Sequence, residues 1–344
     1  MNIAVLAGGY SPERDVSLAS GSLIANALIE EGHKVCLCDL YLGIELGGKN
    51  ILSLFEDKKK ERYKVKNDVP DLEDLKEKSG NGNALVGKGI LERCGAADVV
   101  FLALHGSIGE NGQLQAMFDN YGIKYTGSGY TGSLLAMNKD ISKKLFCFAG
   151  IKTPEWLYCK AGECKSDDIV SKIGLPCVVK PCSCGSSVGI SIVENKNELD
   201  KALEYASKYE EYIIVEKKIT GRELTVGILD DEVLPMIEII PTEGFYDYTN
   251  KYQAGKTLEI CPAHISEECR EKLAFYSKSA FEALRLKGYA RFDYIVDKEG
   301  ECWCLEANTL PGMTPTSLLP QMAENLGVSY SRLCCKIVET ALKA

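Results

Sequence analysis

A chain of 344 residues is long enough for two or three domains and a sizeable buried core. Hydrophobic residues make up 45% and charged residues 26%, which excludes a disordered or fibrous protein. Forty Lys and Arg against 49 Asp and Glu leave a net charge of −9, which argues against a nucleic-acid partner. No apolar run approaches the ~20 residues that span a bilayer. The amino terminus runs straight into a strand with no basic leader, so the expectation is a cytoplasmic enzyme with no membrane partner. Fifteen cysteines in such a chain read as reduced thiols used as small core hydrophobes, not as a disulfide framework. Cys36 and Cys38, Cys182 and Cys184, Cys302 and Cys304, and Cys334 and Cys335 repeat no zinc-ribbon spacing.

In chain order, Asn2 to Ala7 is a short apolar strand ending at Gly8-Gly9. Val16, Leu23, Ile24 and Leu28 then recur at near-helical spacing up to Gly32, and Val35 to Leu40 reads as a second strand. That β-loop-α-β order predicts a parallel sheet in an α/β protein. Residues 47–83 are charged and read as solvated helices and loops, whereas Val99 to Leu104 is a buried strand that delivers His105-Gly106. Gln113 to Tyr121 is a short helix, and Leu134 to Ala149 a longer one that contains Lys139 and ends at Gly150. Pro176 to Lys180 and Tyr212 to Glu216 are further strands. Pro241 to Pro262 is aromatic, polar and aperiodic, and reads as an ordered lid.

The sharpest chemical signal lies between Arg291 and Asn308. Ala290 to Val296 and Glu301 to Ala307 alternate around Asp297-Lys-Glu-Gly300, a turn composition. A four-residue loop pairs Val296 with Glu301, Asp293 with Cys304 and Arg291 with Glu306. Arg291, Asp293, Glu306 and Asn308 then share a face, with Asp293 and Glu306 diagonal neighbours. Two carboxylates and an amide oxygen are hard ligands suited to magnesium. A solvated hairpin carrying an Arg–Glu pair has the same pattern, but the Gly/Pro-rich loop that follows favours the metal reading.

Lys180 precedes Gly185-Ser-Ser-Val-Gly189, where small residues let backbone N–H groups approach phosphate oxygens. A plain tight turn explains that loop equally well, and it is not a Walker A sequence. The first strand is followed by no GxGxxG, which counts against a dinucleotide-binding module. Asn308 to Ser317 leads into an apolar helix that Thr316 or Ser317 can cap, leaving N–H groups suited to a carboxylate. Gly312 allows a backbone amide close to a reacting oxygen. His105 reads equally as a structural hydrogen-bonder and as a site residue.

Five segments carry a resemblance: Ser11-Pro-Glu13-Arg14-Asp-Val-Ser17, Ala103-Leu-His-Gly, the Lys180 to Gly189 loop, Phe245 to Tyr252, and Glu306-Ala-Asn-Thr-Leu-Pro-Gly-Met-Thr. In that order they resemble the D-alanine–D-alanine ligase family of the ATP-grasp superfamily, over residues 2 to about 340 with only 47–95 unrecognisable. The resemblance implies a three-lobed ATP-grasp fold with an amino-terminal parallel-sheet (pre-ATP-grasp) domain. The divisions are 1–127, 128–219 and 220–344, with the lid at 241–262. It implies ATP, two magnesium ions (manganese can substitute) and D-alanine as small-molecule partners, in a homodimer that serves peptidoglycan synthesis.

Residue by residue, the resemblance implies that Glu13 holds the first D-alanine's ammonium, linked to Ser186 and Tyr252. Lys139, Lys180 and Lys251 meet the phosphates, Glu216, Lys217 and Ile219 the adenine, and Glu223 the ribose. Asp293, Glu306 and Asn308 take the metal, while Arg291 and the Gly312 amide form the oxyanion site. Ser317 and the Leu318 amide receive the second substrate's carboxylate, and His105 lies on the substrate side. Asp15 stands where the family has glutamate. Cys182-Ser-Cys184 replaces polar and charged residues in the phosphate loop, so an exposed Cys184 would be open to oxidation. Ser317-Leu318-Leu319-Pro320 is similar to the alanine-using pocket. A D-serine ligase of the same family is the nearest alternative, and a non-catalytic nucleotide-binding regulator the alternative from another class.

Overall fold

The computed structural model describes residues 1–43, 47–48, 50–65, 70–185, 188–241 and 257–343. The amino-terminal β-α-β pattern closes as a parallel sheet: β1 (Asn2–Ala7) pairs with β2 (Lys34–Asp39) on one side and β3 (Val99–Leu102) on the other. Helix Arg14–Glu30 packs Ile24, Ala25 and Leu28 into the same core as Ile3, Val5 and Val35. Contact is closest at Gly21, where a Cβ would stand 2.4 Å from that of Ala7. Only a residue without a Cβ lets the helix lie this near the strand. β3 stops at Leu102, but Ala103 and Leu104 stay buried as they carry the chain to His105. The charged 47–83 stretch holds a 3₁₀ turn at Ile51–Leu54 and a helix at Leu72–Ser79 with no buried residue.

The second sheet is antiparallel. It contains β4 (Trp156–Lys160), β5 (Cys177–Pro181), β6 (Ser191–Val193) and β7 (Tyr212–Lys217), in the order β4-β7-β5-β6. Cys177, Val179, Ile213 and Val215 form a small core with Leu199, Ala202 and Ala206 of helix Lys196–Ser207. Alternation sends Val178, Lys180, Ile214 and Glu216 to the other face, and the register makes Lys180 and Glu216 diagonal neighbours.

The third sheet takes β8 (Arg222–Leu229), β9 (Glu232–Val233), β10 (Ile237–Pro241), β11 (Thr257–Ile260), β12 (Tyr289–Val296) and β13 (Cys302–Asn308). Its order is β11-β10-β8-β12-β13, with β9 folded back on β8. Leu224, Val226, Phe292, Tyr294, Cys302 and Cys304 enter a core with Leu273 and Ala280 of helix Glu267–Ala283. That core also takes Ala136 and Phe146 from helices Tyr130–Met137 and Lys139–Phe148. The opposite face gives Ile237, Ile239 and Tyr289 to the amino-terminal core, alongside Leu319 and Met322 of helix Leu318–Asn325. The sheet is therefore apolar on both sides except where the chemistry sits.

Two sequence expectations need correction, and a third falls mostly outside the described residues. The single helix from Leu134 to Ala149 is two helices broken at Asn138, whose extended backbone lets its side chain accept the Ile141 N–H at 3.0 Å. Apolar periodicity does not register a one-residue break, and the capping chemistry of asparagine makes it. The proposed lid at 241–262 has strand at its described ends, because β11 pairs antiparallel with β10. Four residues are too few to display a period of two. Residues 242–256, and with them Lys251 and Tyr252, lie outside the described residues, as does Ser186. Finally, Cys159 and Cys164 are disulfide-bonded, while the other 13 cysteines are free. The turn after β4 brings their Cα atoms to 5.9 Å, a separation that the bond accepts.

Replacing Gly21 with Ala must push the helix from β1. The expected result is a loss of about 1–3 kcal/mol in urea unfolding, despite alanine's better helix propensity. An unchanged midpoint would show that the contact relaxes without strain.

Candidate active site

The hairpin of β12 and β13 brings the predicted carboxylates together by a register other than the one expected. Val296 pairs with Cys302 and Tyr294 with Cys304, one residue further along than a four-residue loop allows. The register then shifts again beside Asp293, so that Asp293 faces Glu306 directly and Arg291 faces Asn308. Leu305 is the extra residue of a β-bulge. Cys304 and Glu306 would share a face in a regular strand. The bulge leaves Cys304 in the core and turns Glu306 to the side of Asp293 and Arg291. The four side chains therefore share a face, although the predicted pairing was wrong.

Arg291 clamps Asp293 through two parallel hydrogen bonds, Nε to Oδ1 at 2.9 Å and Nη2 to Oδ2 at 2.8 Å. Thr225, opposite Asp293 on β8, also donates to Oδ1 at 2.7 Å. Glu306 lies 3.5 Å from the ammonium of Lys139. Lys139 opens the second of the two helices and donates to the carbonyl of Cys184 at 2.7 Å. It thus ties the glycine-rich loop after β5 to the carboxylate edge of the third sheet. Cys184 is half-buried, and burial pushes its thiol up to about 11, so it lacks the thiolate that oxidation needs.

On the inward face of the second sheet, Lys180 donates to Glu216 Oε1 at 2.6 Å. Lys143, wholly buried, approaches the other oxygen at 2.8 Å. Burial alone would raise the Glu216 carboxyl, but Lys143 and Lys180 outweigh it and hold it below its ordinary value. Lys217 is exposed at the end of β7, and Ile219 is half-buried in the turn to β8. Glu223 sits two residues before Thr225, on the same face of β8.

Glu13 precedes helix Arg14–Glu30 and is buried between two glycine loops. A Cβ on Gly106 would come within 3.0 Å of Glu13 Oε2, and one on Gly185 within 3.6 Å. His105 is buried beside it. Desolvation lowers the pKa of the imidazole, against the pull of Glu13 and a backbone hydrogen bond at Leu310. Glu110, in the short helix Ser107–Glu110, turns back to accept the Gly106 N–H.

The loop after β13 is folded on itself. Asn308 Oδ1 accepts the Leu310 N–H at 3.1 Å, and a Cβ on Gly312 would stand 2.8 Å from Ser317 Oγ. Ser317 occupies the N-cap position of helix Leu318–Asn325, but its side chain makes no cap bond. Its oxygen accepts the Thr314 N–H at 3.1 Å and exchanges a hydrogen bond with Thr314 Oγ1 at 2.8 Å. The first N–H groups of the helix are thus left uncapped by the residue expected to cap them.

Sequence reasoning missed Glu110, Lys143 and Thr225. Lys143 follows Lys139 by one helical turn, and that i,i+4 spacing was the available signal for a second inward lysine. Glu110 stands alone in a run of small and apolar residues five positions after His105. Nothing in the sequence marked Thr225, whose place follows from strand register alone.

The sequence model described as D-ala D-ala ligase N-terminus matches residues 2–128, and that described as D-ala D-ala ligase C-terminus matches residues 145–339. A D-alanine–D-alanine ligase of Pediococcus pentosaceus is 42% identical, covering 98% of this chain and 97% of its own length. One of Lacticaseibacillus casei is 40% identical over 100% of this chain and 96% of its own. The crystal structure of D-alanine–D-alanine ligase from Bacillus anthracis superposes with a TM-score of 0.77 at 34% identity, covering 100% of this chain and 98% of the other. That enzyme complexed with ATP gives 0.75 at 30% identity, covering 100% and 97%.

Burial first, and the nearby Glu13 second, push the Glu110 carboxyl up to about 8 from an ordinary 4.5. Between those values the folded chain keeps a proton that the unfolded chain releases, so this group lowers stability as pH rises through that window. Glu110→Gln keeps an acceptor for Gly106 without the titration. It should be more stable than the parent by about 1–3 kcal/mol at pH 8 and nearly equal to it at pH 4.5. Urea unfolding at both pH values checks this, and a pH-independent difference would contradict it.

Proposed function

The chain belongs to the D-alanine–D-alanine ligase family, and on that premise we propose that it joins two D-alanines with ATP to give D-alanyl-D-alanine, ADP and phosphate for peptidoglycan synthesis. The observation that carries this reading is the direct opposition of Asp293 and Glu306, with Lys139 linking them to the glycine-rich loop. Each carboxylate leans on a cation, Asp293 on Arg291 and Glu306 on Lys139. Such a place suits a divalent ion beside a polyphosphate.

A free carboxylate is a poor acyl donor, because its leaving group would be oxide. ATP removes that obstacle: a carboxylate oxygen of the first D-alanine attacks the γ-phosphorus, ADP leaves, and an acylphosphate remains. The amine of the second D-alanine then attacks the carbonyl carbon and loses a proton, and phosphate departs. In this reading Glu13, with Ser186 and Tyr252, holds the first ammonium, and His105 closes the same side. Lys139, Lys180 and Lys251 draw the phosphates in. Glu216, Lys217 and Ile219 line the base and Glu223 meets the ribose, with the nucleotide between the second and third sheets.

Asp293, Glu306 and Asn308 fit magnesium as hard oxygen donors. Among the described residues no three His, Cys, Asp or Glu side chains gather as a metal site, so phosphate oxygens and water would complete the shell. A magnesium ion held by these residues would offset the negative charge of the triphosphate. Arg291 and the Gly312 N–H stabilise the tetrahedral oxyanion. Ser317 and the open N-terminus of helix Leu318–Asn325, through the Leu318 N–H, take the second carboxylate. We also propose a homodimer in the cytoplasm, where the nucleotide is available. Among the described residues no helix is long and apolar enough to cross a membrane.

Incubation with ATP, magnesium and an equal mixture of D-alanine, D-serine and D-lactate, followed by mass spectrometry, should yield D-alanyl-D-alanine as the main product. A dominant D-alanyl-D-serine peak would assign the alternative specificity. Phosphate release no faster than a blank without amino acid would remove the ligase reading. Arg291→Met should lower kcat by about 10²–10³-fold, the usual effect of removing an oxyanion donor. An unchanged kcat would place the oxyanion elsewhere.

A further inference from the structure

Lys143 and Lys180 approach the same buried carboxylate but are held very differently. The Lys143 ammonium lies 2.8 Å from Glu216 Oε2, donates to Thr153 Oγ1 at 2.7 Å and donates to the Pro154 carbonyl at 3.3 Å. Two acceptors thus take N–H groups of the ammonium, and the ion pair with Glu216 closes its remaining side. The indole of Trp156 covers the group, with its ring centre 5.3 Å from Nζ, and the side chain is fully enclosed. Nothing is left with which Lys143 could reach a ligand. Lys180, by contrast, has Glu216 Oε1 as its one hydrogen-bond partner among the described residues.

We propose that Lys143 is a positioning residue that acts through Glu216: it is the permanent counter-charge that lets Lys180 be handed over to the nucleotide's phosphates. The inference rests on the functional reading above, in which Lys180 meets a phosphate. A lone Glu216–Lys180 pair would resist that transfer, because departure of Lys180 would strand a carboxylate away from water. With Lys143 fixed beside the second oxygen, Glu216 remains paired with a cation throughout. It also stays in one orientation, turned toward the base it is expected to line. Lys143 thus sets how readily the site accepts a triphosphate while touching no substrate itself.

The experiment is equilibrium titration of the full-length protein with ATP, together with steady-state KM values for ATP and D-alanine. Lys143→Met should weaken ATP binding about ten-fold or more, as expected when one partner of a buried charge pair is removed, and leave the KM for D-alanine within about two-fold. Adding Glu216→Gln, which retains an oxygen acceptor but releases Lys180, should recover part of that loss. A general packing defect would instead make the two substitutions additive. Thr153→Val, which loosens Lys143 without removing its charge, should weaken ATP in the same direction by a few-fold, and it decides the matter if Lys143→Met does not fold. Parent-like ATP affinity in the folded Lys143→Met or Thr153→Val protein, or strict additivity in the double variant, overturns this inference alone. A parent protein that binds no ATP overturns the functional reading and this inference with it.

Discussion

A carboxylate taken out of water needs a cation or several hydrogen-bond donors close by, and where the three sheets meet Glu13, Glu110, Glu216 and Asp293 are buried and Glu306 is half-buried. The fold solves that problem differently at four of them. Asp293 receives a bidentate guanidinium and a threonine hydroxyl, and Glu216 receives two ammonium groups. Glu306 shares Lys139 with the Cys184 carbonyl in the loop after β5. Glu110 finds a backbone N–H, and burial beside Glu13 keeps its carboxyl protonated into the neutral range. The arrangement stores cations beside the places where a nucleotide would bring more negative charge. On the proposed function, a site built in this way is prepared for phosphate before any arrives.

Much of the scaffold was legible because it obeys simple periods. The first strand, its crossover helix and the second strand follow from alternation and from near-helical spacing, and their parallel pairing follows from connectivity. The glycine-rich loop and the Asn308–Ser317 loop could be located by composition. The candidate site residues that could be placed were those on regular strands or in short motifs. Asp293 and Arg291 are examples, since two residues of separation on a strand guarantee a common face.

What could not be read had specific physical causes. Asn138 breaks a helix whose apolar pattern runs straight across it, which moves Lys139 from mid-helix to a helix start where it can reach two sheets at once. Lys143 looks like any surface lysine until tertiary packing closes over it. Its environment is made by Trp156, Thr153 and Glu216, which come from other parts of the chain. Ser317 occupies the position its sequence suggests, but Thr314 captures its hydroxyl, because the loop turns tightly enough for Gly312 to lie over it. Local chemistry named the residue, and the fold chose its partner.

The hairpin shows why a correct grouping can come from an incorrect pairing. The third sheet has apolar layers on both faces, so its edge strand must serve a core along most of its length and a polar site at one end. Strict alternation cannot do both, because Cys302, Cys304 and Glu306 have the same parity. One inserted residue at Leu305 reverses that parity between the core section and the polar section. The residues that show this switch are Cys304, facing Tyr294 within the core, and Glu306, facing Asp293 outside it. A bulge has no composition of its own here, since Leu305 is an ordinary strand residue. The sequence evidence for it is indirect: two thiols that belong inside and a carboxylate that does not, spaced so that a regular strand would send all three the same way.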